Sequence, residues 1–437
     1  MAAYRLAPEN PEEKLVFGAL VGAWGFYVLG AIYVVGPVLA VSLLWIWAWR
    51  SYTGDWKPEL GRKPDVPAGV VVWALGMLMM LVALLVAHIE NGLGFAATLK
   101  SAIGWMKGWA MLAMFPFAGA CLRIRPQLLI RAGGWFSLQT LCLIPVLVLA
   151  GLVRGPSKLY ISPLQVIGGP GPEFFSVYLY IVDPSDNSLR WEFIAPWAPA
   201  AGMIGNMLFV MAMHERSRFF RWVGAVNAVL MCVMTHSRMA QLFLVVYPPL
   251  VWALSRLSRP WLLAVGAGLS AGFGIMADKL LELVGSAVQA FRASRMDSTR
   301  VREALGRIAV ERWREDAPIW GHGVVERGRH FVEFMPIGSH HTWFGLLYVK
   351  GVVGVAALAI PLAWTVLEMV LVAQITRIGR VGLAMILMVA FYSNGENLEI
   401  LAYLMWPGLL LIGSAMRRGV SYPATPAPAP AAAMMAA

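Results

Sequence analysis

The stretch AGVVVWALGMLMMLVALLVAH, residues 68–88, holds 20 apolar or small residues before its first ionisable side chain. A run of that length has one comfortable environment. Roughly 20 apolar residues cross a bilayer as a helix, and in hydrocarbon a helix is what satisfies every backbone N–H and C=O. Comparable runs recur along the chain. The run at 15–49 is too long for one crossing and divides near Gly36-Pro37. Others follow at 67–88, 103–121, 134–153, 196–213, 220–236, 239–254, 260–282, 343–373, 381–393 and 398–416. The expectation is an all-α polytopic membrane protein with about twelve transmembrane helices, the 343–373 run tilting or bending at Pro361. Composition agrees: 59% of the 437 residues are hydrophobic and 14% charged, against about half and a quarter in soluble domains.

The connections orient the spans. Alternate short loops read RSYTGDWKPELGRK, RIRPQLLIR, HERSRFFR, SRLSR and TRIGR, with MRR after the last run, whereas the opposite loops HSR, SNGEN and IENGLGFAATLK hold two basic residues between them. Lysine and arginine mark the cytoplasmic side. Both termini, 1–14 and 417–437, are therefore expected inside, the latter an Ala/Pro-rich disordered tail. The acidic start leads into a run about twice a signal-peptide core, which reads as an uncleaved first membrane hairpin. Two long loops, 154–195 and 283–342, fall outside, the second partly helical; the second separates a membrane domain of nine spans (15–282, the first loop included) from one of three (343–416). The formal charge of +11 is accounted for by basic helix ends and implies no nucleic acid. Cys121, Cys142 and Cys232 lie in apolar runs and read as small core hydrophobes.

This topology puts four features at one outer level. Arg190 ends the first long loop, Arg238 occupies the tight turn THSRMAQL, Arg300 lies in DSTRVREALGRIAVERW, and His340-His341 close the second loop. A boundary arginine between two apolar helices is either an anchor snorkelling to headgroups or a fixed cation for a phosphate or diphosphate, whose oxygens suit a guanidinium fork. The arginines around Arg300, Arg302 among them, are either a solvated face or an electropositive lid. The histidines are either helix caps or a general base, imidazole being the side chain that titrates near neutrality. A metal site built from His322, His330, His340 and His341 matches no ligand spacing. Glu396, in SNGENLEI, lies on the same side and reads as either a solvated carboxylate or an assisting one. No nucleotide loop appears, since GGPGPE lacks the strand–helix context and the lysine, and no Gly-x-Ser-x-Gly elbow is present. Any reaction must then use an already activated substrate, with no metal or cofactor.

DAPIWGHGV (316–324), followed by SHHTWFGLLYVKGVVG (339–354), resembles the signature of the bacterial O-antigen ligase and polysaccharide polymerase superfamily. That pattern has a Pro, an apolar residue and Gly-x-Gly. A histidine comes later, and eleven residues beyond it a Gly-apolar-apolar-Gly opens a span. Counting back from Gly351 lands on His340; His341 falls where the family commonly has Asn. HSRMAQL resembles the family's Ser-Arg turn, RWEFIAPWAPAAGMIGN its arginine-bearing lead-in, and Arg300, with Arg302 a near competitor, its loop arginine. Where relatives often carry Gly and Asn after the lead-in arginine, this chain has Trp-Ala-Pro. The resemblance covers about 190–354. It implies a glycosyltransferase of the bacterial inner (plasma) membrane whose site faces the periplasm. The donor would be a glycan on undecaprenyl diphosphate, and the acceptor a lipid A–core sugar (ligase) or a second carrier-linked glycan (O-antigen, capsule or exopolysaccharide polymerase). Arginines would bind the diphosphate and a histidine would deprotonate the acceptor, with inversion. The alternative of another class is a lipid-linked glycan transporter or flippase, but transporters bind near the midplane, and here the ionisable residues gather at one face.

Overall fold

Helix starts and breaks in this chain follow from a few capping and glycine positions. The computed structural model describes residues 6–56, 65–183, 187–279, 281–283, 285–286, 296–325, 337 and 341–417. Helix α1 (Pro11–Val21) begins behind Asn10, whose side chain accepts the Glu13 N–H at 2.8 Å, with Pro11 in the first turn. Helix α2 (Ala23–Val28) ends at Gly30, which has φ +64° and lies so close to the Phe175 carbonyl that a Cβ would come within 2.9 Å of it. Helix α3 (Ile32–Thr53) then runs through Pro37. The first run is therefore broken at Gly30, not at Gly36-Pro37. Gly36 instead admits another helix, since a Cβ there would sit 2.9 Å from Tyr403 Cα.

The remaining helices are α4 (Ala68–Glu90), α5 (Phe95–Lys107), α6 (Met111–Cys121), α7 (Pro126–Leu152), α8 (Ala198–His214), α9 (Arg218–Met234), α10 (Arg238–Leu254), α11 (Pro260–Ile275), α12 (Met296–Asp316), α13 (Thr342–Ile375), α14 (Arg377–Tyr392) and α15 (Leu398–Met416). Among the described residues five helices, α3, α4, α7, α13 and α15, are long and apolar enough to cross a membrane; α11 with the piece that follows it at an 81° bend counts as a sixth if the pair is one span. Helices α8 and α10 are shorter apolar helices. The run expected at 103–121 is two elements, α5 and the mostly buried α6, divided at Gly108, where the Glu399 backbone passes within 2.8 Å of any Cβ. The first long loop folds into two small antiparallel hairpins, β1 (Lys158–Ile161) with β2 (Ser176–Tyr178) and β3 (Ile181–Val182) with β4 (Leu189–Arg190). Cys121 and Cys232 are buried as expected, but Cys142 faces outward from α7.

The two ends of the helical assembly differ. One end is tied by ion pairs: Arg50–Glu12 at 2.5 Å, Arg125–Glu13 at 2.7 Å and Arg131–Glu215 at 2.8 Å. The described parts of 154–195 and of 283–342 meet the other end, where α13 is broken. The break is at Gly351 (φ 61°, ψ −164°), and the helix passes through Pro361. The carbonyls of Tyr348 and Val349 accept the N–H groups of His322 (2.8 Å) and Gly323 (2.9 Å), while Val352 and Val353 donate to Pro318 (3.1 Å) and Ile319 (3.3 Å). Gly321 (φ +75°) lies so close that a Cβ would be 2.5 Å from Lys350 N. Much of the 316–324 and 351–354 signature is thus a backbone joint that only glycine fits.

Gly321→Ala or Gly351→Ala should lower the thermal unfolding midpoint in detergent, at a cost of about 1–3 kcal/mol each. Gly266→Ala, on α11 where a Cβ meets nothing within 4 Å, should leave it unchanged or raise it. Equal midpoints for all three would contradict the joint.

Candidate active site

Thr342 opens α13 and fastens it to the turn between α14 and α15. Its hydroxyl donates to the Glu396 carbonyl at 2.6 Å and accepts the Leu398 N–H at 3.1 Å, and its own N–H reaches the same Glu396 carbonyl at 3.2 Å. Trp343 Nε1 donates to Ser393 Oγ at 3.1 Å. Glu396 is not solvated: it is 5% exposed, and its Oε2 accepts Trp197 Nε1 at 2.9 Å. Trp197 is the N-cap position of α8, so this one carboxylate residue joins the end of the first long loop to the end of the second.

Arg238 is the first residue of α10, behind the Ser237 N-cap and half-buried. It follows His236, a non-glycine residue at φ +50°. Its neighbour Met239 packs on Gly395, beside Glu396, so closely that a Cβ on Gly395 would overlap the Met239 methyl. The turn bearing Arg238 and the start of α13 thus flank the same 393–397 turn. Arg190, on β4, forms an ion pair with Asp183 inside the second hairpin, both side chains buried, so its charge is balanced within the first loop. Arg300 and Arg302 lie on α12, with their side chains outside the described residues; His330 and His340 also lie outside them.

His341 is the N-cap of α13, its Nδ1 accepting the Trp343 N–H at 3.2 Å while its ring lies 4.5 Å from that of Phe344. An Nδ1 that accepts leaves the neutral ring's proton on Nε2. His322 is stacked on the Tyr348 ring at 4.3 Å, with Nδ1 3.0 Å from the Tyr348 carbonyl. Among the described residues no three His, Cys, Asp or Glu side chains gather as a metal site would need.

Three residues escaped the sequence reading. Trp197 looked like a departure from a motif, and nothing local marks its indole as a donor to a residue 199 positions away. Glu192 is buried in the first loop, where burial, with the Glu173 carboxylate adding to it, pushes its carboxyl up to about 8. Lys350 did carry a signal: a lysine inside LLYVKGVVG is an ionisable group in an apolar run. It is 3% exposed, in the field of Glu399 at the start of α15.

Glu396→Leu, which strands the Trp197 N–H, should cost about 1–3 kcal/mol of stability, whereas Glu396→Gln, which keeps an acceptor, should cost much less; thermal unfolding of the two separates them. Glu192 gives a pH signature. With its folded carboxyl near 8 and an unfolded value near 4.3, the folded state holds the proton longer, so stability falls as pH rises between those limits. Glu192→Gln should flatten that slope and raise the unfolding midpoint more at pH 8 than at pH 5; a parallel shift at both would contradict it. No protein-family model matches the chain, and no curated protein matches it.

Proposed function

We propose that the chain is a glycosyltransferase of the O-antigen ligase type, moving a glycan from undecaprenyl diphosphate to a hydroxyl of a lipid A–core sugar. It would work in the bacterial inner membrane, with the site on the periplasmic face and both termini cytoplasmic. The observation that carries the reading is the 393–397 turn, which brings the start of α13, the Arg238 turn and the end of the first loop to one end of the molecule. These are the segments that bear the residues resembling the family's site.

The chemistry divides as follows. His340 takes the proton of the acceptor hydroxyl, because the Nδ1 of His341 already serves as the cap of α13. The freed oxygen lone pair attacks the anomeric carbon from the face opposite the diphosphate. The carbon–oxygen bond to the carrier breaks, its electron pair stays on the bridging oxygen, and the anomeric centre inverts. Arg238, with Arg300 or Arg302, balances the charge that grows on that oxygen. One such donor is worth about 10²–10³ in rate, and a positioned general base about 10²–10⁴.

In proteoliposomes supplied with undecaprenyl-diphosphate glycan and lipid A–core, transfer should proceed without ATP. His340→Ala should lower it by at least about 10², while His341→Asn, another capping side chain, should stay near wild type. Arg238→Lys should fail, since a point charge does not replace the fork. Full activity of His340→Ala would remove the base; glycan crossing the bilayer with no new covalent bond would remove the enzyme. Glycan ladders formed without lipid A–core would make the second carrier-linked glycan the acceptor.

A further inference from the structure

We propose that the ion-paired end of the molecule holds one anionic phospholipid, its phosphate among the arginines around His214 and an acyl chain along the outer face of α9. This site is independent of the transfer reaction. Most basic side chains of that end are already spent. Arg50, Arg125 and Arg131 pair with Glu12, Glu13 and Glu215, and Arg417 donates to the carbonyls of Gly119, Ala120 and Leu122. A second group is not. Arg216 follows α8, Arg218 opens α9 and Arg377 opens α14. All three are exposed, and among the described residues their side chains form no ion pair or hydrogen bond.

These arginines belong to one place. His214, the last residue of α8, lies in the field of Arg380, Arg377 and Arg221 together, and Arg216 and Arg218 follow it directly in the chain. The loops HERSRFFR and TRIGR thus gather five guanidinium groups. Glu215 is the one carboxylate in either loop, and Arg131 takes both its oxygens, at 2.8 and 3.1 Å. Membrane insertion alone accounts for basic residues scattered over one side. It does not account for unpaired ones converging on a single helix end. The start of α9 adds to the field, because Ser217 makes no side-chain cap and the first N–H groups of a helix favour an anion.

What lies beside the arginines selects a lipid over a soluble anion. Phe219 and Trp222 are exposed in the first turns of α9, Trp222 at 70%, and exposed Trp marks the depth of the headgroups. From Trp222 an exposed stripe continues through Val226, Val229 and Val233, while Gly224, Ala228 and Met231 are buried. Steps of three and four residues keep the stripe on one side of the helix. At about 1.5 Å per residue it runs roughly 16 Å, close to one leaflet's share of a hydrocarbon core of about 30 Å. A phosphodiester gives the guanidinium forks their anion, and the chain attached to it covers the stripe.

The test titrates the full chain in detergent, read by native mass spectrometry, with dioleoylphosphatidylglycerol, dioleoylphosphatidylcholine and inorganic phosphate. Phosphatidylglycerol should bind at least about tenfold more tightly than phosphatidylcholine. Arg218→Gln and Arg377→Gln should each weaken it about fivefold, and Trp222→Ala should weaken both phospholipids. Lys14→Gln, which removes an exposed cation of α1 at the same end, should change nothing. Without added lipid both arginine variants should keep the wild-type unfolding midpoint, since neither side chain has a partner to lose. Equal binding of the two phospholipids, or wild-type binding of phosphatidylglycerol by the arginine variants, would overturn the site. So would wild-type lipid binding by Trp222→Ala, or a lowered midpoint in the arginine variants, which would make those arginines structural. Arginine-dependent binding of inorganic phosphate as tight as that of the lipid would also overturn it, by assigning the cluster to a soluble anion.

Discussion

Everything at the loop-bearing end depends on how the broken helix α13 satisfies its backbone. A helix interrupted inside an apolar assembly releases carbonyls on one side of the break and N–H groups on the other, and no water is at hand to take them. Here the segment Pro318–Gly323 meets both sets, accepting from Val352 and Val353 and donating to Tyr348 and Val349. The joint works in both directions. It lets α13 change course at Gly351 without orphaned groups, and it anchors the end of the second long loop, with α12, against the helix that the histidine pair precedes. Close approach is the condition, which is why Gly321 and Gly351 admit no side chain.

A second tie crosses from this joint to the first loop. Thr342 uses its hydroxyl both as donor and as acceptor, which fixes the start of α13 and the start of α15 with one small side chain. Glu396 continues the tie through its carboxylate to Trp197. Buried carboxylates are costly without partners, so this one sits where an indole N–H is held by its own helix start. The result is that two loops far apart in the chain cannot shift independently of the 393–397 turn.

Which parts were legible follows from the range of the interactions that set them. Apolar runs fixed the helices well, because their length is a local property: α4, α7 and α15 lie within eight residues of the boundaries read from the sequence. Breaks were misread because proline and glycine act locally in a sequence pattern but through neighbours in a packed fold. Pro37 and Pro361 lie inside continuous helix, while the break positions are glycines, Gly30 and Gly351, forced by segments 130 or more residues and about 30 residues away. Glu396 looked wet for the same reason, its partner Trp197 being invisible to any local rule. Lys350 was different. Its signal was in the sequence, as a charge within an apolar run.

The start of α13 shows how a helix boundary selects the side chain that precedes it. Helix α13 begins at an extended residue, φ −145° and ψ 132°, whose side chain must reach forward to accept an N–H two residues on. Asn does this with Oδ1 and His with Nδ1, both acceptors a short distance from Cβ. An imidazole at position 341 thus supplies the same kind of acceptor that an Asn cap would. A capping imidazole is also a constrained one. The Trp343 N–H and the Phe344 ring hold it on two sides, so the cap fixes its orientation as well as its place. What the helix start requires thus sets the work of the residue that caps it.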